Sequence, residues 1–377
     1  MNFTSFNLHP NILEGIESMG FENPTPIQEQ AIPLILEGKD LIACAQTGTG
    51  KTAAFVLPIL SINANQAANH NRVNTLIIVP TRELALQIDQ QVEGFAYFSP
   101  IGSIAVYGGN DGSNWDRQRA ALESGSELVI ATPGRLIQHI QMGYVKLDTI
   151  EHLILDEADR MLDMGFYDDI MSIIKLLPKK RQTLMFSATM PPKIRQLAKT
   201  ILHNPVEISL AVSKPADNIL QAFYMVENEQ KLELLNSLLS GKEYVQSVLV
   251  FASTKSEVKN IERKLVNSGI SAKAIHSDLE QRERENVLRE FRNRKIQILV
   301  ATDIISRGID IEDIDLVVNY DVPMDPEDYV HRIGRTARAQ SDGVAITFVS
   351  KKQKVQFDKI EKFLNTSIFK IKNPLNS

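Results

Sequence analysis

Along the chain, short unbroken apolar runs alternate with longer stretches in which apolar residues return every three or four positions. The runs lie at residues 41–43, 76–79, 128–130, 153–155 and 184–186, then at 248–251, 298–300, 316–318 and 345–349. Each is of strand length, and unbroken rather than alternating hydrophobicity predicts strands buried on both faces. Segments between them, such as 257–268 and 281–294, predict helices with a charged outer side. Strand and helix in alternation predict an α/β fold, with mainly parallel sheets flanked by helices. The pattern pauses at 203–218, which carries two prolines and no helical period. This predicts two domains, 1–207 and 218–370, a linker at 208–217 and a short tail at 371–377, each domain large enough for its own core.

Composition narrows the class. Apolar residues make up 43% and charged residues 23% of the 377, which is ordinary for a globular protein and not for a disordered one. No run of 18 apolar residues exists, so no membrane-spanning helix and no membrane partner are expected. The first residues lack the basic region and long apolar core of a secretory signal. The single cysteine, Cys44, has no intrachain disulfide partner, and the histidines are too scattered for an all-protein zinc site. The expectation is a soluble cytoplasmic monomer. Through Glu207 there are 16 Lys+Arg against 22 Asp+Glu, a net of −6; the remainder has 25 against 24, a net of +1, for −5 in all. Binding to nucleic acid would therefore need a local basic groove, not a global positive field.

Ala45-Gln46-Thr47-Gly48-Thr49-Gly50-Lys51-Thr52 follows the strand at 41–43 and opens into an apolar helix. Glycines let such a loop turn its N–H groups toward a phosphate, and the helix N-terminus adds partial positive charge. Lys51 would reach the β- and γ-phosphates, and the Thr52 hydroxyl would ligate Mg²⁺. Ala45 stands where the common pattern has glycine. Asp156-Glu157-Ala158-Asp159 directly follows the run at 153–155. Carboxylates at the carboxyl end of a parallel strand face the crevice where ligands bind. Asp156 suits Mg²⁺ held through water, and Glu157 suits orienting or deprotonating the attacking water. Together the two motifs predict a site for a nucleoside triphosphate and Mg²⁺ that hydrolyses the nucleotide.

At these residues the chain resembles the DEAD-box RNA helicases of superfamily 2, whose tandem RecA-like domains the predicted architecture matches. The resemblance spans nearly the whole chain. Phe21-Glu22-Asn23-Pro24-Thr25-Pro26-Ile27-Gln28 is similar to the adenine-reading Q motif, with Gln28 on the adenine edge, and Phe3 takes the place of an upstream aromatic that stacks on the base. Pro80-Thr81-Arg82-Glu83-Leu84-Ala85, Gly108-Gly109 and Thr132-Pro133-Gly134-Arg135 resemble first-domain RNA motifs, implying Thr81, Arg82, Gly109, Thr132 and Arg135 as RNA contacts. Ser187-Ala188-Thr189 resembles the motif that couples hydrolysis to unwinding, its hydroxyls directed at Asp159. In the second half the resemblance assigns Arg284, Thr302 and Gly308 to RNA and Asp310 to the nucleotide ribose. His331-Arg332-Ile333-Gly334-Arg335-Thr336-Ala337-Arg338 implies His331 as a coupling residue, with Arg335 and Arg338 as arginine fingers on the γ-phosphate.

Ser277 and Ala337 stand where the family usually has glycine. Within the family, Met161-Leu162-Asp163-Met164-Gly165-Phe166 and the compact ending look RhlE-like. What the resemblance implies is an RNA-dependent ATPase that closes on RNA and loosens short duplexes, with ribonucleoproteins or RNA-decay and ribosome-assembly factors as partners. Two other readings stay open: a DNA-directed translocase, and an ATP-gated RNA clamp that hardly unwinds. Trp115, in an expected helix, reads as packing; Cys44 reads as a buried small residue, and His152 as structural.

Overall fold

A computed structural model describes every residue except 1, 46–48, 66–71, 110–111, 211–218, 242–244, 277, 303–313, 337–342 and 377. The chain divides into two units, Met1–Val212 and Ser213–Ser377. Of the linker expected at 208–217, residues 211–217 lie outside the described residues.

The first unit begins with helices α1 (Pro10–Ser18) and α2 (Pro26–Leu36). Strand β1 (Leu41–Cys44) and helix α3 (Lys51–Asn65) follow, then β2 (Thr75–Ile78), α4 (Arg82–Phe95), β3 (Ser103–Val106) and α5 (Gly112–Ser124). After these come β4 (Leu128–Ala131), α6 (Pro133–Gln141), β5 (His152–Leu155), α7 (Ala158–Asp163), α8 (Tyr167–Ile174), β6 (Gln182–Ser187), α9 (Pro192–Ile201) and β7 (Val206–Ser209). All seven strands are parallel, in the order β3-β4-β2-β5-β6-β1-β7. Successive residues of the five interior strands, β1, β2, β4, β5 and β6, enter opposite cores. Ala43, Ile77, Ile130, Ile154 and Phe186 belong to one cluster with α1–α4. Ile42, Leu76, Val129, Leu153 and Met185 belong to the other, with α6–α9. Burial on both faces is the physical reason these strands read as unbroken apolar runs.

The second unit repeats the plan: β8 (Ile219–Met225), α10 (Lys231–Leu239), β9 (Val248–Phe251), α11 (Lys255–Asn267), β10 (Ala272–Ile275) and α12 (Gln281–Arg292). It continues with β11 (Ile298–Ala301), β12 (Leu316–Asn319), α13 (Pro326–Ile333), β13 (Gly343–Val349), α14 (Lys354–Leu364) and β14 (Phe369–Ile371). Its parallel order is β10-β11-β9-β12-β13-β8-β14. Both units are thus RecA-like, a parallel sheet flanked by helices. Corresponding loops even start their helices alike: Thr81 after β2 accepts from Leu84 N, and Thr254 after β9 accepts from Glu257 N. Such threonine caps satisfy amides that open a helix. No helix among the described residues is long and apolar enough to cross a membrane.

Candidate nucleotide and RNA sites

Because every strand of the first sheet is parallel, all its carboxyl ends open on one edge, and the strand order sorts the motifs along it. The loops after β5, β6 and β1, three adjacent strands, carry Asp156–Asp159, Ser187–Thr189 and the glycine loop. The loops after β3, β4 and β2, also adjacent, carry Gly108-Gly109, Thr132–Arg135 and Thr81-Arg82. One half of the edge therefore collects the motifs read from sequence as nucleotide-binding, and the other half those read as RNA-binding.

In the nucleotide half, Ala45 N donates to Ser187 O at 3.1 Å, tying the glycine loop to the end of β6. Gln46, Thr47 and Gly48 lie outside the described residues. Gly50 has φ +86°, and a side chain there would start 2.4 Å from Gln28 Nε2. The close approach is a hydrogen bond: buried Gln28 donates from Nε2 to Gly50 O at 3.0 Å, and its Oε1 accepts from Thr25 N at 2.9 Å. Gln28 thus braces Gly50, directly before the helix that opens with Lys51 and Thr52. Phe21 packs edge-on against Phe95, and Phe3 is buried in the core with its ring edge-on to Phe6.

Lys51 is 7% exposed, and its Nζ has no hydrogen-bond partner among the described residues. A buried ammonium left without a partner is unfavourable unless something anionic meets it. Asp156 is 3% exposed; burial pushes its carboxyl up to about 6, partly offset by Lys51. An orphaned cation and a buried carboxylate, with the Thr52 hydroxyl beside Lys51 in the chain, fit a phosphate and a hard divalent cation. Among the described residues, no cluster of three His, Cys, Asp or Glu forms a ready-made metal cage. That suits Mg²⁺, which takes one or two carboxylates plus phosphate oxygens.

Glu157 adopts φ +50°, ψ +49°, a left-handed conformation uncommon for a residue with a Cβ. Its N donates to Asp156 Oδ1 at 2.9 Å, and its Oε2 pairs with buried Arg160 Nη1 at 3.0 Å. Asp159 joins two motifs 30 residues apart: its Oδ2 accepts from Thr189 N and Oγ1, both at 2.9 Å. Ser187 Oγ accepts from Asp159 N at 3.2 Å and donates to Thr189 O at 2.8 Å. Cys44 is half-buried with Sγ directed at Ala188 O, and His152 sits in the sheet against Gln182.

The RNA half is joined by residues the sequence reading did not single out. The Arg82 guanidinium lies 4.6 Å from the Tyr107 ring, and a side chain at Gly109 would start 3.3 Å from Arg82 Nη1. Gln118 is fully buried. Its Nε2 donates to Tyr107 O at 3.1 Å, and its Oε1 accepts from Arg135 Nε at 3.2 Å. The same Oε1 faces His139 Nε2 at 3.0 Å, while His139 Nδ1 meets the Tyr144 hydroxyl. An amide oxygen only accepts, so Nε2 carries the ring proton and Nδ1 accepts from Tyr144. Trp115 packs on this cluster. Spacing carries no signal for Gln118, Tyr107 or Tyr144, because their partners come from other loops.

Burial, then Arg135, pushes His139 down to about 4. The unfolded ring gains a proton below pH 6.5 and the folded ring only near 4, so protons favour unfolding in that window. Stability is fully present above pH 6.5 and lost as pH falls toward 4, by about 2 kcal/mol at pH 5. His152 is shifted the same way by burial. Urea melts at pH 7.5 and 5.0 should therefore show a smaller difference in His139→Asn than in the parent. An unchanged difference would remove His139 from this account.

In the second unit Arg284 Nε donates to Leu279 O at 3.0 Å, and Thr302 directly follows β11. His331 lies on α13 and Arg335 just beyond it. Arg332, unassigned from sequence, is buried, donates from Nη1 to Asn319 Oδ1 and Asp321 O, and lies over Phe251. It anchors the segment that bears His331 and Arg335 to the ends of β9 and β12. Gly308, Asp310, Arg338, Ser277 and Ala337 lie outside the described residues.

A family profile described as DEAD/DEAH box helicase matches residues 25–197, and one described as helicase conserved C-terminal domain matches residues 230–340. The chain is 46% identical over 352 residues to the ATP-dependent RNA helicase CshA of Listeria monocytogenes, covering 93% of this chain and 66% of that one. It is 40% identical over 374 residues to the ATP-dependent RNA helicase DbpA of Bacillus subtilis, covering 99% and 77%. The chain thus spans about two thirds to three quarters of the length of these relatives. Among solved structures, Dbp5 of S. cerevisiae bound to RNA and ADP BeF3 superposes with a TM-score of 0.86 at 32% identity, over 99% of this chain and 96% of that one. With both matched regions falling on the two RecA-like units and the acidic tetrapeptide standing where the nucleotide motifs converge, the chain belongs to the DEAD-box family of ATP-dependent RNA helicases.

Proposed function

We propose that the chain hydrolyses ATP in response to RNA and uses the cycle to close on RNA and loosen short duplexes or remodel ribonucleoproteins, independently of sequence. The observation that carries this reading is the buried Lys51 ammonium, without a hydrogen-bond partner among the described residues, beside Asp156 on the edge that also bears Arg82, Gly109 and Arg135. When bound, ATP supplies the phosphoryl group and Mg²⁺ offsets its charge. Lys51 and the glycine-loop amides of residues 46–50 would receive the phosphates; Thr52 and Asp156 would hold the cation, Asp156 through water. Glu157 orients the attacking water and accepts its proton. An amide has two N–H groups and two acceptor sites, so Gln28 can brace Gly50 and still meet an adenine edge. Phe3 and Phe21 complete the adenine side, and Asp310 takes the ribose.

RNA is held through phosphates and 2′-hydroxyls by Thr81, Arg82, Gly109, Thr132 and Arg135, and by Arg284, Thr302 and Gly308. Contacts of that kind select RNA without reading sequence. Closure brings Arg335 and Arg338 to the γ-phosphate, where they stabilise the charge of phosphoryl transfer. The Asp159, Ser187 and Thr189 network, with His331, transmits the state of the nucleotide to the RNA half. The relative Dbp5, solved with RNA and ADP BeF3, supports this reading. We place the protein in the cytoplasm as a monomer, with RNA-decay or ribosome-assembly factors as partners. The RhlE-like subgroup remains an expectation from the sequence, and the relatives named above carry other names.

Steady-state ATP hydrolysis without nucleic acid, with single-stranded RNA and with the matching DNA, at fixed low salt, tests the proposal. Salt is held because phosphate contacts weaken steeply with it. Stimulation by RNA alone is expected. Equal stimulation by DNA would favour the translocase reading, and equal rates in all three would end the coupled mechanism. Slow turnover with long-lived RNA binding and no strand separation would favour the clamp.

A further inference from the structure

Arg135 is held by more than its own helix. Its guanidinium carbon lies 4.3 Å from the centre of the Trp115 ring. Nε donates to Gln118 Oε1 at 3.2 Å and Nη1 to Gln138 Oε1 at 3.1 Å. Trp115 is itself fixed, stacked on the His139 imidazole with centroids 4.0 Å apart and planes 17° apart. His139 lies one turn after Arg135 on α6, so one indole covers both side chains. His139 is fully buried, and Gln118 anchors the group to Tyr107 O, next to Gly108-Gly109. An arginine normally gives up rotamer freedom when it meets a phosphate, and an arginine already held in place loses less of it on binding.

We propose that Trp115 is a positioning residue for RNA: its indole face, with Gln118, presets the Arg135 guanidinium so that its Nη2 edge meets an RNA phosphate oxygen. The proposal rests on the RNA reading of Arg135 given above. Trp115 touches no RNA in this account, so all of its effect passes through Arg135. Removing Trp115 takes away no charge. It should nevertheless weaken a charge contact, a signature that packing alone does not produce.

The test is the RNA dependence of ATP hydrolysis, titrated with a single-stranded RNA oligonucleotide at several KCl concentrations, in the full chain. Trp115→Ala should raise half-saturating RNA about 5-fold, with the rate at saturation within about twofold of the parent, the loss expected for one weakened contact. Trp115→Leu, which keeps apolar volume without an aromatic face, should do the same if the alanine variant does not fold. Trp115→Phe should restore most of the affinity. The log–log salt slope should flatten by about 0.7 in Arg135→Ala, one phosphate on a single strand. It should flatten in the same direction in Trp115→Ala. The double variant should match Arg135→Ala within about twofold.

A parental half-saturation and slope in both Trp115→Ala and Trp115→Leu, alongside a weakened Arg135→Ala, would overturn the proposal and leave Trp115 as packing. Effects that multiply in the double variant would overturn it too, since Trp115 would then act on RNA by itself. An Arg135→Ala variant with parental RNA dependence would remove the phosphate reading of Arg135, and the proposal with it.

Discussion

Glu157→Gln is expected to lower RNA-stimulated ATP hydrolysis by about 10²-fold or more, the usual scale for removing a general base, while ATP and RNA still bind within a few-fold. The substitution preserves shape. A carboxamide keeps an oxygen that can accept from Arg160 Nη1, now 3.0 Å from Glu157 Oε2. The left-handed backbone at Glu157 is held by groups the change leaves alone, the Glu157 N to Asp156 Oδ1 bond and the Met161 N to Glu157 O bond. What the amide cannot do is take a proton from water at neutral pH. The loss should therefore appear in turnover at saturating RNA, not in nucleotide affinity. Steady-state hydrolysis paired with a fluorescent-nucleotide titration separates the two, and turnover within tenfold of the parent would falsify the role given to Glu157.

Lys51→Met should have effects of opposite sign on function and stability. Affinity for ATP should fall by about 10²-fold or more, as a charge-assisted contact to the phosphates is replaced by a thioether. The nucleotide-free protein should become more stable, because a buried ammonium with no hydrogen-bond partner among the described residues is exchanged for an apolar side chain of similar length. The gain is on the order of 1–3 kcal/mol, reduced by the lost attraction to Asp156, whose carboxyl would rise further. Thermal melts without nucleotide should shift upward by a few degrees. Addition of Mg²⁺ and ATP should stabilise the parent and leave the variant unmoved. A nucleotide-free variant that melts below its parent would mean that Lys51 holds the fold together and is not an unpaid debt awaiting phosphate.

The nine apolar runs read from sequence correspond to strands in the interiors of the two sheets. Five strands escaped that reading: β3, β7, β8, β10 and β14. Four of them are the outermost strands of their sheets, β3 and β7 in the first, β10 and β14 in the second. An edge strand has one side open, so its pattern alternates or fades; Val206–Ser209 has one buried residue and Phe369–Ile371 none. β8, beside edge strand β14, carries exposed Leu220 and reads as mixed for the same reason. Hydrophobic runs thus report burial, which β7 and β14 largely lack; β3, buried at Ile104, Ala105 and Val106, is an edge strand that carries the same signal as the interior ones.

By itself the sequence determined the class of fold, and it marked the loops expected to carry the chemistry. Lys51, Asp156, Glu157 and Asp159 are recognisable because each sits in a few consecutive residues whose types serve one backbone turn and one ligand. The contacts among those loops were decided only in three dimensions. The Gln28 brace on Gly50, the Asp159 bonds to Thr189 and the buried Gln118 that joins Tyr107 to Arg135 and His139 connect residues 11 to 30 positions apart. Local composition is blind to such pairs, since a buried glutamine and a solvated one look alike in a sequence. Parallel pairing in the order β3-β4-β2-β5-β6-β1-β7 brings them together, because it places every loop that follows a strand on one edge and sets which of those loops are neighbours.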